Sequence, residues 1–325
     1  MTRSGRNFVF YFAWSRPREI HVDLAELENR FPTMIEARRS LWPVIPEFRG
    51  PQKPPQDIEP LLDQLILPRI DQCIERIELH TGRTVSVVQR QIVTSASVHL
   101  NDLALDKHKP CTLVILSFDH FRTSQTPTPA EVDWVCQFLD SSENCLVICP
   151  HHDVGASDRH PAQQAEFFHH GDPDVPAQDR VGGYGRALLK ALGFPIENQF
   201  GLKPLLKKDG EPADLQIDRH LDRKGILKDV TTFTGHPHLP HYWVPPDVAD
   251  SVDVLARQLV DVSAGAKWRA NHPFLRDDGN KQFNAMLQLR RFAGTLLVCD
   301  VTLWLSPLQG GKDSLPAFWS NMACM

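Results

Sequence analysis

Two apolar runs, Cys111-Thr-Leu-Val-Ile-Leu-Ser117 and Asn144-Cys-Leu-Val-Ile-Cys149, restrict what this chain can fold into more than any other feature. Both are continuous rather than alternating, too short for a buried helix, and suited to strands covered on both faces. Between them, Thr128-Pro129-Ala130-Glu131 opens a helix to about Leu139, with threonine as the N-cap and proline at the first helical position. Strand, helix and strand in that order predict a βαβ unit, with parallel strands and a right-handed crossover.

Other elements follow from periodicity. Asn7-Phe-Val-Phe-Tyr-Phe-Ala-Trp14 reads as a buried first strand, too short to span a membrane and followed by Ser15-Arg16-Pro17 rather than a cleavage site. A short helix is expected over Phe31 to Trp42, then a crossing loop from Pro43 to Pro60. From Ile58 to His80 the residues Leu61, Leu62, Leu65, Ile66, Ile70, Cys73, Ile74, Ile77 and Leu79 recur mostly at three- and four-residue spacing before Gly82. That pattern predicts an amphipathic helix, kinked at Pro68, with a glycine stop. Thr84 to Val93 reads as a strand, Tyr184 to Leu192 as a helix ended by Gly193, and Asn280 to Phe292 as another helix. The strand Gly294 to Leu305 and a short helix over Leu315 to Met322 complete the chain. With no internal repeat, the expectation is a single α/β domain over 1–325, carrying an inserted loop-rich segment over 155–243.

The stretch from Thr112 to Gly155 resembles the class I glutamine amidotransferase-like superfamily, particularly its trehalose-utilisation-type branches. The residues that carry the resemblance are Leu113 to Phe118, Pro129 to Leu139 and Leu146-Val-Ile-Cys-Pro-His-His152. Leu296-Leu-Val-Cys-Asp300 and Phe318-Trp-Ser-Asn321 look like the last strand and helix of such domains. The resemblance implies a flavodoxin-like, doubly wound, mostly parallel sheet. It leaves the chemistry to the residues, because fold does not fix function. The amidotransferases set a nucleophilic cysteine in a glycine-flanked elbow, and no such arrangement occurs here. Cys149 lies near the corresponding strand end, but Pro150 removes a backbone N–H that an oxyanion hole would use. Cys149 therefore reads as a buried structural thiol.

The histidines carry the functional signal. Nine of the 15 fall between His151 and His241, about twice an even spread. Cys149-Pro-His151-His152-Asp153 stands where a buried strand ends, and the carboxyl ends of parallel strands are where α/β sheets hold ligands. Adjacent histidines point to opposite sides of an extended chain, so one of the pair faces the site, and Asp153 is a ligand or orients an imidazole. Glu166-Phe-Phe-His169-His170-Gly171-Asp172-Pro173 is a second cluster, and His236-Pro-His238-Leu-Pro-His241 a third. Imidazoles converging from short stretches suit a divalent transition metal: zinc first, with iron, nickel or copper as alternatives. The last spacing is similar to that of metallo-β-lactamase-type hydrolases, but Pro240 stands where those carry an aspartate. Lone histidines such as His21, His80, His99, His108 and His272 read as structural.

The metal ligands expected are drawn from His152, Asp153, His169, His170, His238 and His241, with Asp172 or Glu166 moving protons. Arg16, beyond the first strand, and Arg186, within Arg180-Val-Gly-Gly-Tyr-Gly-Arg186 before a helix, would hold a substrate carboxylate or phosphate. For the glycine-rich stretch a close-packed turn is the competing reading. Asp300 and Thr302 are expected on one side of the late strand, near the same rim. The function expected is a metal-dependent enzyme acting on a small polar or anionic metabolite, by hydrolysis through a metal-bound water. The alternatives are a non-enzymatic metal- or metabolite-binding protein, a lyase or oxidoreductase on the same site, an unmetallated acid-base site, and histidines that only build a loop-rich partner surface.

A formal charge of −5 gives a nucleic-acid partner no electrostatic support. No membrane partner is expected, and the chain is compatible with a homo-oligomer. The seven cysteines, odd in number and without a C-x-x-C spacing, fit a reduced, cytoplasmic protein.

Overall fold

The computed structural model describes residues 4–13, 67–90, 98–105, 109–117, 126–150, 183–202, 204–210, 212–233, 239–260, 282–305 and 314–325. The two apolar runs become β3 (Cys111–Ser117) and β4 (Cys145–Pro150), in which every residue is buried. They pair in parallel, Thr112 with Cys145 through Ser117 with Pro150. The helix between them is α2 (Pro129–Phe138). Thr128 Oγ1 accepts the Glu131 N–H at 3.2 Å, and Glu131 Oε2 accepts the Thr128 N–H at 2.8 Å, so two otherwise orphaned helix donors are satisfied reciprocally.

The first strand, β1 (Asn7–Phe12), is followed by α1 (Leu67–Thr81) and β2 (Ser86–Gln89). After β4 come α3 (Gly183–Ala191), β5 (Glu197–Leu202), β6 (Gln216–Ile217) and β7 (Leu239–Trp243). Then follow β8 (Val252–Leu259), β9 (Gln282–Leu289), β10 (Thr295–Cys299) and α4 (Leu315–Cys324). Eight strands form one sheet in the order β2-β1-β3-β4-β10-β9-β8-β6, while β5 and β7 form a separate antiparallel pair. From β2 to β10 the neighbours are parallel, and from β10 to β6 they are antiparallel. The sheet is therefore mixed, with the parallel half built as expected and an antiparallel half added beside it.

Alternation sorts the side chains of β1 onto two cores. Phe8, Phe10 and Phe12 join Ile70, Cys73 and Ile77 of α1 and Phe318 and Met322 of α4. Val9 and Tyr11 join Val135 and Phe138 of α2 and Leu188 and Leu189 of α3 on the opposite face. Both faces of β1, β3, β4 and β10 are buried, which is why these strands are mostly apolar, whereas the edge strand β2, Ser-Val-Val-Gln, exposes Ser86 and Val87. Each fully buried side chain of this size contributes about 1.5–3 kcal/mol. Gly193 ends α3 with φ of 88°, a left-handed conformation that glycine adopts without steric cost.

Three expectations are corrected. Of the helix expected over Asn280 to Phe292, the described residues 282–292 are not helical: they contain β9, with Phe283, Ala285, Leu287 and Leu289 buried and Gln282, Asn284 and Gln288 half-buried. Phe283, Met286 and Leu287 also satisfy helical spacing, so the local pattern fits both periods, and pairing with β8 and β10 decides between them. The late strand stops at Cys299 instead of reaching Leu305, because Asp300 caps a 3-10 turn over Val301–Trp304. Of the strand expected over Thr84 to Val93, residues 86–89 pair with β1 while Thr84, Val85 and Arg90 lie outside the strand, and 91–93 lie outside the described residues. Pro68 stands in the first turn of α1, where a missing N–H is tolerated. The helix expected over Phe31 to Trp42 and the loop over Pro43 to Pro60 lie outside the described residues.

Candidate functional site

The parallel strands β1, β3, β4 and β10 end along one rim. At its centre β4 and β10 are neighbours, with Val298 beside Ile148. One step further lie Cys149 and Cys299, and then Pro150 and Asp300. Asp300 is 1% exposed, and its Oδ2 accepts the Thr302 N–H at 3.2 Å and the Thr302 hydroxyl. The expectation that Asp300 and Thr302 share one side of an extended strand is thus replaced by a capped turn in which the two bond to each other. Tyr242 of β7 reaches the same place, its hydroxyl donating to the Pro150 carbonyl at 3.3 Å. Burial first, then Asp300, Cys299 and Cys149, push that phenol well above its ordinary range, so it stays a neutral donor.

Cys149 is fully buried, with Sγ accepting the Trp304 indole N–H at 3.2 Å and lying 3.7 Å from Cys299 Sγ. Desolvation and the neighbouring Cys299 push its thiol far up, and the indole only partly offsets them. A protonated, fully buried thiol is not a nucleophile toward a metabolite-sized substrate. Cys149 is structural, as its sequence context implied.

A second buried polar group lies along the rim toward β1 and β2. Arg90, just beyond β2, pairs through Nη1 with Glu131 Oε1 at the start of α2, and its guanidinium stacks 4.7 Å over the Tyr184 ring. Tyr184 donates to Glu131 Oε1 at 3.0 Å, the Leu100 N–H donates to the same oxygen at 3.1 Å, and Arg90 Nη2 donates to the Thr126 carbonyl at 3.3 Å. Burial alone would raise the Glu131 carboxyl. The Thr128 N–H, Arg90 and the Leu100 N–H together outweigh it and hold the carboxyl below the usual carboxylate range. Burial likewise lowers Arg90, yet its tyrosine and glutamate neighbours leave it raised overall, so the two partners agree on an ion pair. His99 belongs to this group, with Nδ1 3.6 Å from Glu131 Oε2.

Two of the expected site residues are described. Arg186 is in the first turn of α3 and half-buried. The glycine beside it is a packing device: the Gly185 N–H donates to Ser117 Oγ at 2.9 Å, and a Cβ there would stand 3.1 Å from Ser117 Cβ and 3.3 Å from Ile148 Cγ2. That close approach seats the N-terminus of α3 on the ends of β3 and β4. His241 is 8% exposed, with its ring against Phe283 and its Nδ1 accepting the Asn284 N–H at 3.1 Å. An Nδ1 acceptor puts the proton of a neutral ring on Nε2, whereas metal-bound histidines donate from the nitrogen that does not hold the metal. Arg16, His152, Asp153, Glu166, His169, His170, Asp172 and His238 lie outside the described residues. Among the described residues, no three His, Cys, Asp or Glu side chains come together as a metal-holding group.

The sequence reading did not single out Arg90, Tyr11, Tyr184 or Tyr242. Thr128 before Pro129 signalled an N-cap, but that reading did not announce that Glu131 returns the cap or meets a cation 41 residues earlier in the chain. No helix among the described residues is long and apolar enough to cross a membrane.

No protein-family model matches the chain, and no curated protein matches it. A solved structure from Bacteroides uniformis ATCC 8492, described as thua-like, is similar at 10% identity and a TM-score of 0.40, covering 100% of this chain and 91% of that one. The fold and rim define the class: an α/β protein whose mixed eight-stranded sheet carries helices and buries polar groups at the ends of its parallel strands.

Proposed function

We propose that this chain is a flavodoxin-like, doubly wound member of the glutamine amidotransferase-like group that has become a metal-dependent hydrolase of a small polar or anionic metabolite. The parallel strand order β2-β1-β3-β4-β10, with helices on both faces, supports the fold reading, since it follows the 2-1-3-4-5 order of flavodoxin-like sheets. One observation carries the chemical reading. β4 ends at Pro150 in the middle of the sheet, beside the buried Asp300, and His151-His152-Asp153 follow it directly in sequence.

The proposed ligands are drawn from His152, Asp153, His169, His170 and His238. His241 is assigned instead to holding β7 against β9 through Asn284. A divalent metal, zinc by its ligand types, would supply Lewis acidity toward a substrate oxygen and would lower the pKa of water to about 7. Glu166 or Asp172 would move the proton, and Arg16 or Arg186 would hold an anionic group of the substrate. The unpaired state of all seven cysteines supports a reducing, cytoplasmic location.

The test is the metal content of untagged protein, by inductively coupled plasma mass spectrometry, beside a His152→Ala/Asp153→Ala/His169→Ala variant. Near-stoichiometric metal is expected in the parent and its loss in a variant with an unchanged circular dichroism spectrum. A parent free of metal after growth with zinc, iron, nickel and copper supplied overturns the proposal. A closed four-ligand shell favours the binding-protein alternative over catalysis.

A further inference from the structure

The rim brings together two thiols that the proposed hydrolysis does not use. Cys149, the residue before the end of β4, and Cys299, the last of β10, lie on the same face of the sheet and hold their sulfurs 3.7 Å apart. They are 150 positions apart in the sequence, so only the pairing of β4 with β10 makes them neighbours. A disulfide requires sulfurs at about 2.05 Å with Cβ atoms about 3.5–4.5 Å apart. Sulfurs already in contact from adjacent strands need to close by less than the width of one atom.

We propose that Cys149 and Cys299 form an intrachain disulfide when the folded protein meets a small hydroperoxide. In the first step one thiol sulfur attacks a peroxide oxygen: the O–O bond breaks, a sulfenic acid forms, and the thiol proton leaves with the other oxygen, as water from hydrogen peroxide or as an alcohol from an alkyl hydroperoxide. In the second, the other thiol attacks that sulfur: the S–S bond forms and the sulfenic oxygen departs as water. Both sulfurs are oxidised and the peroxide is reduced, with no further reactant.

The surroundings set the character of the reaction. Both thiols are fully buried, so the pair is closed to bulky reagents, and in the proposed reaction a small hydroperoxide meets it through a transient opening of the rim. Cys324 is exposed and is the site that bulky thiol reagents meet first. The Trp304 indole N–H on Cys149 Sγ gives the event a spectroscopic reporter, because bond formation re-aims that sulfur. The bond would tie the ends of β4 and β10 together where the chain continues to His151 on one side and Asp300 on the other. Oxidation would thereby act on the geometry of the rim. The cross-link itself is independent of the metal reading, and mass measurement scores it whether or not the protein binds metal.

The test uses the full chain and a Cys324→Ser variant, each oxidised with hydrogen peroxide under native conditions, denatured, alkylated and mapped by peptide mass spectrometry. The expected result is a peptide pair joined through Cys149 and Cys299, lighter by two hydrogens than the sum of its thiols and split by dithiothreitol. A reversible change in tryptophan fluorescence should accompany it. A Cys299→Ser variant should lose the joined pair and the fluorescence change together. Recovery of Cys149 and Cys299 as alkylated thiols, under conditions that fully oxidise Cys324 of the parent, overturns the proposal without any requirement that a variant fold.

Discussion

Glu131 shows how much a single side chain can be asked to do. Its carboxylate receives the Thr128 and Leu100 N–H groups, the Tyr184 hydroxyl and the Arg90 guanidinium, while 0% exposed. Removing one member of a buried ion pair leaves the other charge uncompensated, so Glu131→Gln should destabilise the protein by about 3–5 kcal/mol in urea unfolding. The sign of the pH dependence follows from the lowered carboxyl. The unfolded chain takes up a proton at the usual glutamate range, near pH 4.3, before the folded chain does. The stabilisation is therefore complete above that range and lost as pH falls through the lower folded value. The stability gap between parent and Glu131→Gln should narrow below about pH 4, and a gap unchanged down to pH 3 would refute the assignment. The helix start at Thr128 was legible in the sequence, while the return bond from Glu131 to the Thr128 N–H came with the structure. The ion pair was not legible either, because Arg90 reaches Glu131 only after β2 has paired with β1.

Among the elements, α3 illustrates a motif whose chemistry and packing compete. Its glycine-rich start suggested an anion site as well as a close-packed turn, and the Gly185 contacts with Ser117 and Ile148 give the glycine a packing reason. Adding a methyl at 3.1 Å from Ser117 Cβ forces the helix start away from β3 and β4. Gly185→Ala should therefore cost about 1–3 kcal/mol, read from the shift of the urea midpoint at constant slope. Full tolerance of alanine would return the glycine to ligand binding. β9 illustrates the opposite case, an element misread because Phe283, Met286 and Leu287 suit a helix face as well as a strand. Its neighbours β8 and β10 supply backbone partners that no local propensity can report.

At the scale of the whole molecule, the two cores lie on opposite faces of one sheet, and β1, β3, β4 and β10 contribute to both. Losing either core exposes the apolar reverse side of the same strands, so a single cooperative thermal transition is expected by calorimetry, with equal calorimetric and van't Hoff enthalpies. Two separate transitions would show that the 155–243 segment folds on its own, against the packing of α3 onto β3 and β4. The sequence by itself determined the parallel βαβ centre, the Thr128 cap, the glycine stop at Gly193 and the structural reading of Cys149. Each rests on information local to the chain: a run apolar on both faces, a hydroxyl just before a helix-opening proline, a residue free to adopt positive φ, a proline that follows the thiol. Only the tertiary structure decided that 282–289 is a strand, that Asp300 turns back to bond Thr302, that Arg90 meets Glu131 and that Cys149 touches Cys299. Apart from the Asp300 turn, these depend on groups brought together from distant parts of the chain. The turn depends on where β10 stops pairing, and that is set by β4 and β9.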